Sequence, residues 1–169
     1  MRAWTLTCGA ALLLGGCYSY GLRKPDTPPV DAFAEVDGVG EICVLRPHWS
    51  AAAVTAVVHD DGQLVGATRG PTYFCYAAEP GHHFIDSKAD TVEDATVDVE
   101  PGKRYYLHQI VDNIFGVVRT RLAWVTEDEA RPLIAKCGYR VLVSVRGDER
   151  LPSGAPVPAL ALAAGAVAR

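Results

Sequence analysis

Five cysteines and five histidines carry the widest chemical repertoire in this 169-residue chain, and their spacing limits what they can do. No Cys-x-x-Cys occurs among Cys8, Cys17, Cys43, Cys75 and Cys137, so neither a zinc ribbon nor thioredoxin-like redox chemistry is indicated. His82 and His83 are adjacent, and neighbours on a strand point to opposite faces, which spoils shared metal coordination. With His48, His59 and His108 they could assemble a site only through the fold. A Cys-His hydrolase would need a base beside Cys75, oriented in turn by a carboxylate such as Asp86 or Asp112. Any chain with five histidines and 20 acidic residues offers such combinations without a motif. Gly62, Gly66 and Gly70 lack a following Lys-Ser/Thr and form no phosphate loop. The sequence therefore supplies no catalytic, cofactor-binding or metal-ligating set, and the expectation is a protein that is not an enzyme.

The sharpest chemical signal lies at the amino terminus. Residues 1–17 read MRAWTLTCGAALLLGGC, a single Arg2, an apolar stretch from Ala3 to Leu14, then two glycines and a cysteine. That is the order of a secretory signal. The stretch is too short to span a bilayer, and its glycines weaken any helix built from it.

Leu14-Gly15-Gly16-Cys17 resembles the lipobox of bacterial lipoproteins. The resemblance implies cleavage between Gly16 and Cys17, with Cys17 carrying a covalent diacylglyceryl group and, as the new first residue, an N-acyl chain such as palmitate. The residue types suit that chemistry, because a thiolate is a soft nucleophile and glycines let the backbone lie close in a processing site. Two or more acyl chains anchor stably where one would not. Tyr18, in place of Asp, implies release to the outer membrane in a Gram-negative host. The expected compartment is the bacterial cell envelope, with the membrane engaged through the lipid anchor.

The elements behind this anchor fall into a simple order. Residues 17–40 read as the lipidated cysteine and a Pro-rich tether, with Pro25, Pro28 and Pro29 opposing helix. Residues 41–145 read as a small antiparallel β-sandwich of about seven to nine short strands, rich in Val, Ile, Tyr, Phe and Thr. Strands are expected at 42–46, 53–59, 64–68, 72–78, 83–88, 95–99, 104–111, 115–125 and 139–145. Asp60-Asp61-Gly62-Gln63 fits a tight hairpin. Glu79-Pro80-Gly81-His82 and Glu100-Pro101-Gly102-Lys103 each fit a type II turn and predict two similar hairpins. A further turn is expected near Asp112 and Asn113. Tyr73, Cys75 and Ala77 should share one face, with Phe74 and Tyr76 on the other. Val118, Thr120, Leu122 and Trp124 should likewise face away from Arg119 and Arg121, which read as a solvated pair. Thr126-Glu127-Asp128-Glu129 fits a capping box opening a short helix near 127–137, disturbed by Pro132 and ended by Gly138. Residues 146–169, poor in bulky side chains, read as a disordered Pro/Ala-rich tail.

The succession Ile42-Cys43-Val44-Leu45-Arg46-Pro47, Val57 to Gly66, Gly70-Pro71-Thr72-Tyr73-Phe74, Pro80-Gly81-His82-His83 and Pro101-Gly102-Lys103-Arg104-Tyr105-Tyr106 is similar to a bacterial lipoprotein family known as domain of unknown function 2846. The resemblance spans roughly residues 41–135. It implies a short all-β domain behind a lipid anchor, and, as the family has no established activity, it assigns no catalytic residues. Cys43 and Cys75 occupy strand positions where that family commonly has aromatic residues.

With Cys8 in the leader and Cys17 acylated, Cys43, Cys75 and Cys137 remain. An oxidising compartment permits one bridge among three pairings, and Cys43 with Cys75 is the pairing that two strands of a sandwich could bring together. The alternative is three small buried apolar side chains.

A net charge of -4 leaves no positive field for a phosphate backbone, so nucleic acid is not an expected partner. These readings converge on a lipid-anchored envelope lipoprotein serving as a noncatalytic binding or assembly module for an envelope protein or glycan. The competing readings are an envelope enzyme using Cys75 or a histidine cluster, and a structural spacer. Replacing Cys17 with serine should abolish cleavage after Gly16 and membrane retention, as read by mass spectrometry of the amino terminus and by cell fractionation. A normally processed, membrane-retained variant would contradict the anchor.

Overall fold

A computed structural model describes residues 19–26, 32 and 38–146. The lipobox and Cys17, residues 27–31 and 33–37 of the tether, and residues 147–169 of the tail lie outside the described residues. The described chain runs β1 (Ser19–Arg23), β2 (Gly40–Arg46), β3 (Thr55–Asp60), β4 (Gln63–Arg69), β5 (Thr72–Ala78), β6 (Gly81–Lys88), β7 (Val92–Val99), β8 (Arg104–Ile114), β9 (Val117–Val125), α1 (Glu127–Ile134), β10 (Gly138–Tyr139) and β11 (Val141–Arg146). A five-stranded sheet of order β10-β5-β2-β8-β9 packs on a four-stranded sheet of order β4-β3-β6-β7, and β1 pairs with β11. The chain is mainly β with one short helix, a sandwich as expected. Its strands number eleven among the described residues, against the seven to nine expected, and two pairings, β2 with β8 and β5 with β10, are parallel.

Three hairpins follow from local chemistry. Asp61-Gly62 joins β3 to β4 with φ of 49° and 77°, the two positive values of a type I′ turn. Phe115-Gly116, at 51° and 85°, joins β8 to β9 in the same way. The turn expected near Asp112 and Asn113 therefore lies further on, because pairing with β9 carries β8 through Ile114. β6 and β7 pair along their full lengths around residues 89–91.

The two Pro-Gly segments do not make hairpins. Glu79-Pro80 leads from β5 in one sheet to β6 in the other, and Glu100 to Lys103 leads from β7 back to β8. The second is a hydrogen-bonded turn, with the Lys103 N–H donating to the Glu100 carbonyl (3.3 Å) and Gly102 at φ 72°. Gly81 sits at φ 144°, outside type II geometry, and already belongs to β6. A Pro-Gly turn reverses the chain, but it leaves open whether the next strand bonds its predecessor or crosses the core. Here both edges of β5 and both edges of β8 are taken by other strands.

The core lies between the sheets. Ile42, Val44, Phe74, Tyr76 and Leu107 from one side meet Val58, Val65, Ile85 and Val99 from the other. Gly66 is required there, since a Cβ would collide with the Phe74 ring. Buried polar side chains also cross one end of this core. Thr68 Oγ1 donates to Gln109 Oε1, Gln109 Nε2 donates to Ser87 Oγ (2.7 Å), and Thr120 Oγ1 donates to the Ser87 carbonyl (3.0 Å). Every partner in that chain is satisfied, so burial is tolerated.

The opposite face of β2 and β5 carries Cys43, Leu45, Tyr73 and Cys75, covered by α1 through Ala130, Leu133 and Ile134. Thr126 and Glu129 form the expected capping box. The helix stops at Ile134, short of the expected 137. Pro132 removes one ladder donor, and the chain tightens into turns in which Lys136 and Cys137 donate to the Leu133 and Ile134 carbonyls.

The tether reading of residues 17–40 needs correction near its start. Ser19–Arg23 is strand β1, and Tyr20 and Leu22 pack with Val145 over Val57, Leu64, Ala67 and Leu142. Alternating side chains can join a sheet even beside prolines when a distant partner supplies the other strand.

Cys43 and Cys75 are direct partners in the antiparallel β2–β5 register and are joined by a disulfide, Cα atoms 4.0 Å apart. The bridge lies within one sheet, whereas the sequence reading left open a link between sheets. It closes a loop across a sequence separation of 32 residues, for which chain entropy suggests about 3–4 kcal/mol of stabilisation. Replacing both cysteines with alanine should lower the unfolding free energy by about that amount in urea titration. An unchanged midpoint would show that the bridge constrains nothing.

Candidate functional site

The strongest concentration of chemistry sits at the other end of the inter-sheet core, where three side chains meet. Asp60 ends β3 and points inward like Val58; His83 enters on β6 and points inward like Ile85; Tyr76 reaches across from β5. His83 Nδ1 lies 2.8 Å from Asp60 Oδ2, and the Tyr76 hydroxyl donates to the same oxygen (3.1 Å). Asp60 is only 7% exposed, and its Oδ1 is buried without a hydrogen-bond partner among the described residues. Asp61, the first residue of the type I′ turn, brings Oδ2 to 3.9 Å from His83 Nδ1, while its Oδ1 accepts from the Phe84 N–H (3.1 Å). Asp61 is 57% exposed, so the cluster opens to water on that side.

The other nitrogen of His83, Nε2, lies 2.7 Å from the Glu79 carbonyl. A carbonyl only accepts, so Nε2 carries a hydrogen. With both ring nitrogens engaged, His83 has none free to take a proton from a substrate. Burial works against its charged form, but the Glu79 carbonyl and the Asp60 carboxylate outweigh it and hold the imidazole above its ordinary 6.5. Burial raises the Asp60 carboxyl, only partly offset by His83 and Tyr76. Burial, reinforced by Asp60, also raises the Tyr76 phenol, which stays a donor at any physiological pH.

The remaining histidines do not join this cluster. His82 points to the outer face and meets Asp98 at 2.9 Å. His59 meets Asp86 at 3.0 Å on that same face. His48 and His108 approach each other on the far side of the five-stranded sheet, ring centroids 5.6 Å apart, and burial, then His48 and Arg121, lower the His108 pKa. The fold thus separates His82 from His83 as strand alternation requires, and the five histidines do not gather. Cys75 is tied to Cys43 and offers no thiolate in this state. Of the carboxylates considered beside it, Asp86 pairs with His59 and Asp112 with Arg121 (3.0 Å). Glu41 also approaches the two cysteines, but the disulfide removes them as ligands and Glu41 forms a buried pair with Arg104.

An open cleft of about 720 Å³ borders Tyr73, Ile134, Cys137, Tyr139 and Arg140. The Cys137 thiol donates to the Leu133 carbonyl (3.3 Å), and burial pushes its pKa up to about 11, which leaves it a poor nucleophile at neutral pH.

Sequence reasoning singled out His83 but assigned Asp60 and Asp61 to turn chemistry alone and Tyr76 to a strand face. Their juxtaposition needs β3, β5 and β6 at one corner of the sandwich. The only local signal was two consecutive acids ahead of a glycine. No family model, no curated protein and no solved structure matches this chain.

His83 and Asp60 both bind protons more readily in the folded chain than when unfolded, so their contributions share a sign. Each is present at low pH and is lost as pH rises, for Asp60 upward from the ordinary carboxylate range and for His83 upward through a value above 6.5. The difference in unfolding free energy between the native chain and His83→Gln should therefore shrink as pH is raised from about 6 to 8 in denaturant titrations. A difference that stays constant or grows would contradict the His83–Asp60 coupling.

Proposed function

We propose that this chain is a lipid-anchored envelope lipoprotein whose β-sandwich is a noncatalytic binding or assembly module, contacting an envelope protein or glycan through the outer face of β6 and β7. The anchor rests on the Leu14-to-Cys17 pattern and its resemblance to a lipobox. In a Gram-negative host, Tyr18 directs it to the outer membrane.

One observation carries the choice of surface. Among the described residues, the β1–β11 pair covers the outer face of β3 and β4, and none covers that of β6 and β7. The bare face presents Phe84 (45% exposed) and Val92 (57%) among Asp86, Asp94 and Asp98. Asp86 and Asp94 stand directly opposite each other, an arrangement that costs stability unless a positive group answers it. His59 Nδ1 lies 3.0 Å from Asp86 Oδ2.

The sheet edges on this side are less suitable for adding a strand from a partner. Trp124 Nε1 donates to the Thr96 carbonyl (2.9 Å), and the Tyr105 hydroxyl donates to the Asp98 carbonyl (3.1 Å), which occupies the free edge of β7. Asp90 and Thr91 side chains accept from Val118 and Thr120 on the free edge of β9. Such clasps blunt an edge against pairing with other chains. The face therefore fits a partner better than an edge does.

A photoreactive residue placed at Phe84 or Thr96 in intact cells should give one discrete crosslinked species, and the same residue at Lys136 on the helix side should not. Crosslinking equally weak at all three positions would overturn the docking face and favour a structural spacer.

A further inference from the structure

We propose that Asp60, Asp61 and His83 form a binding site for a divalent first-row transition-metal ion, with zinc as the reference case. This reading is independent of the lipid anchor and of the docking face.

The geometry supports it at three levels. Nδ1 of His83, a carboxylate oxygen of Asp60 and one of Asp61 all lie within 4.8 Å of one another. Around a zinc ion with bonds of about 2.0–2.2 Å, tetrahedral ligand atoms sit about 3.3 Å apart. The distances from His83 Nδ1, 2.8 Å to Asp60 Oδ2 and 3.9 Å to Asp61 Oδ2, bracket that spacing.

Each ligand also has a second hydrogen-bond partner. The Glu79 carbonyl fixes a hydrogen on Nε2, so that Nδ1 is the nitrogen that faces both carboxylates and would give up its proton to a metal. The Phe84 N–H engages Asp61 Oδ1 and leaves Oδ2 available. The Tyr76 hydroxyl orients Asp60. Outer hydrogen bonds of this kind orient ligands in established metal sites.

Finally, Asp60 Oδ1 is buried with no partner among the described residues, although its side chain is 93% shielded from water. A buried carboxylate with one oxygen unanswered is costly, and a cation on its other oxygen, Oδ2, would offset the charge of the whole group. The exposed side of Asp61 provides the entry path and room for water to complete the coordination. An imidazole among the donors selects a transition ion over calcium or magnesium, which prefer all-oxygen sets. Binding replaces a proton on Nδ1 by the metal and releases it to solvent, so affinity falls as pH is lowered.

The test is calorimetric titration of the full chain in detergent with zinc chloride, repeated with manganese and with calcium. One equivalent of zinc should bind, with proton release, and calcium should not. Asp61→Asn keeps the acceptor for Phe84 and should stay folded by circular dichroism, yet bind zinc at least about tenfold more weakly. His83→Gln should lose binding to a similar degree. His82→Gln, on the opposite face, and Cys137→Ser should bind as the native chain does. The proposal is overturned if the native chain binds neither zinc nor manganese, if folded Asp61→Asn binds zinc undiminished, or if loss follows His82→Gln or Cys137→Ser. Should His83→Gln fail to fold, Asp61→Asn decides the question alone.

Discussion

Strand β2 is the constraint on which the rest of the molecule depends, because it is enclosed on all four sides. β5 bonds one edge antiparallel and β8 the other parallel. Ile42 and Val44 fill the core between the sheets, while Cys43 and Leu45 fill the space beneath α1. All seven of its residues are buried, which leaves no freedom for a register slip without reversing both faces at once. The strand ends at Arg46, fully buried, with its guanidinium donating to the carbonyls of Val54 (2.9 Å), Ser50 (3.0 Å) and Ala51 (2.7 Å). Burial lowers its pKa to about 10, so it remains charged at neutral pH. The segment carrying exposed Trp49 is thus wrapped around a cation at the tip of the central strand.

Two polar connections bracket the apolar centre of the sandwich. At one end Thr68, Gln109, Ser87 and Thr120 tie both sheets through neutral hydrogen bonds. At the other, Tyr76 in one sheet meets Asp60 and His83 in the other through charged or ionisable groups. The first is saturated and needs nothing further. The second retains an unmatched carboxylate oxygen and opens to solvent beside Asp61.

Much of the architecture was legible wherever the deciding physics is local. Asp61-Gly62 predicted its hairpin because positive φ at two successive positions selects such residues. Thr126 and Glu129 predicted the start of the helix because their side chains satisfy the first free N–H groups. Alternation along β5 separated Tyr73 and Cys75 from Phe74 and Tyr76 correctly. Legibility failed where a partner came from far along the chain. Pro101-Gly102 turned the chain as expected, Gly81 did not take type II geometry, and both segments delivered the chain to the opposite sheet. Ser19–Arg23 resembled a spacer because its partner, β11, lies more than a hundred residues away. The histidines were equally ambiguous, since a residue type and a face do not specify which carboxylate stands opposite.

By itself the sequence determined the mainly β class, the turns whose torsions demand glycine or aspartate, the helix cap and the face to which each strand residue points. Backbone sterics and the two-residue period of a strand act within a few residues, so they are written in the local order of side chains. Only the tertiary structure decided that Cys43 faces Cys75 within one sheet, that both Pro-Gly segments cross the core, and that Asp60, Asp61, Tyr76 and His83 share one corner. Those outcomes depend on which strands pair and which sheets stack, and that choice is made by burial summed over the whole domain, which no short window of sequence contains.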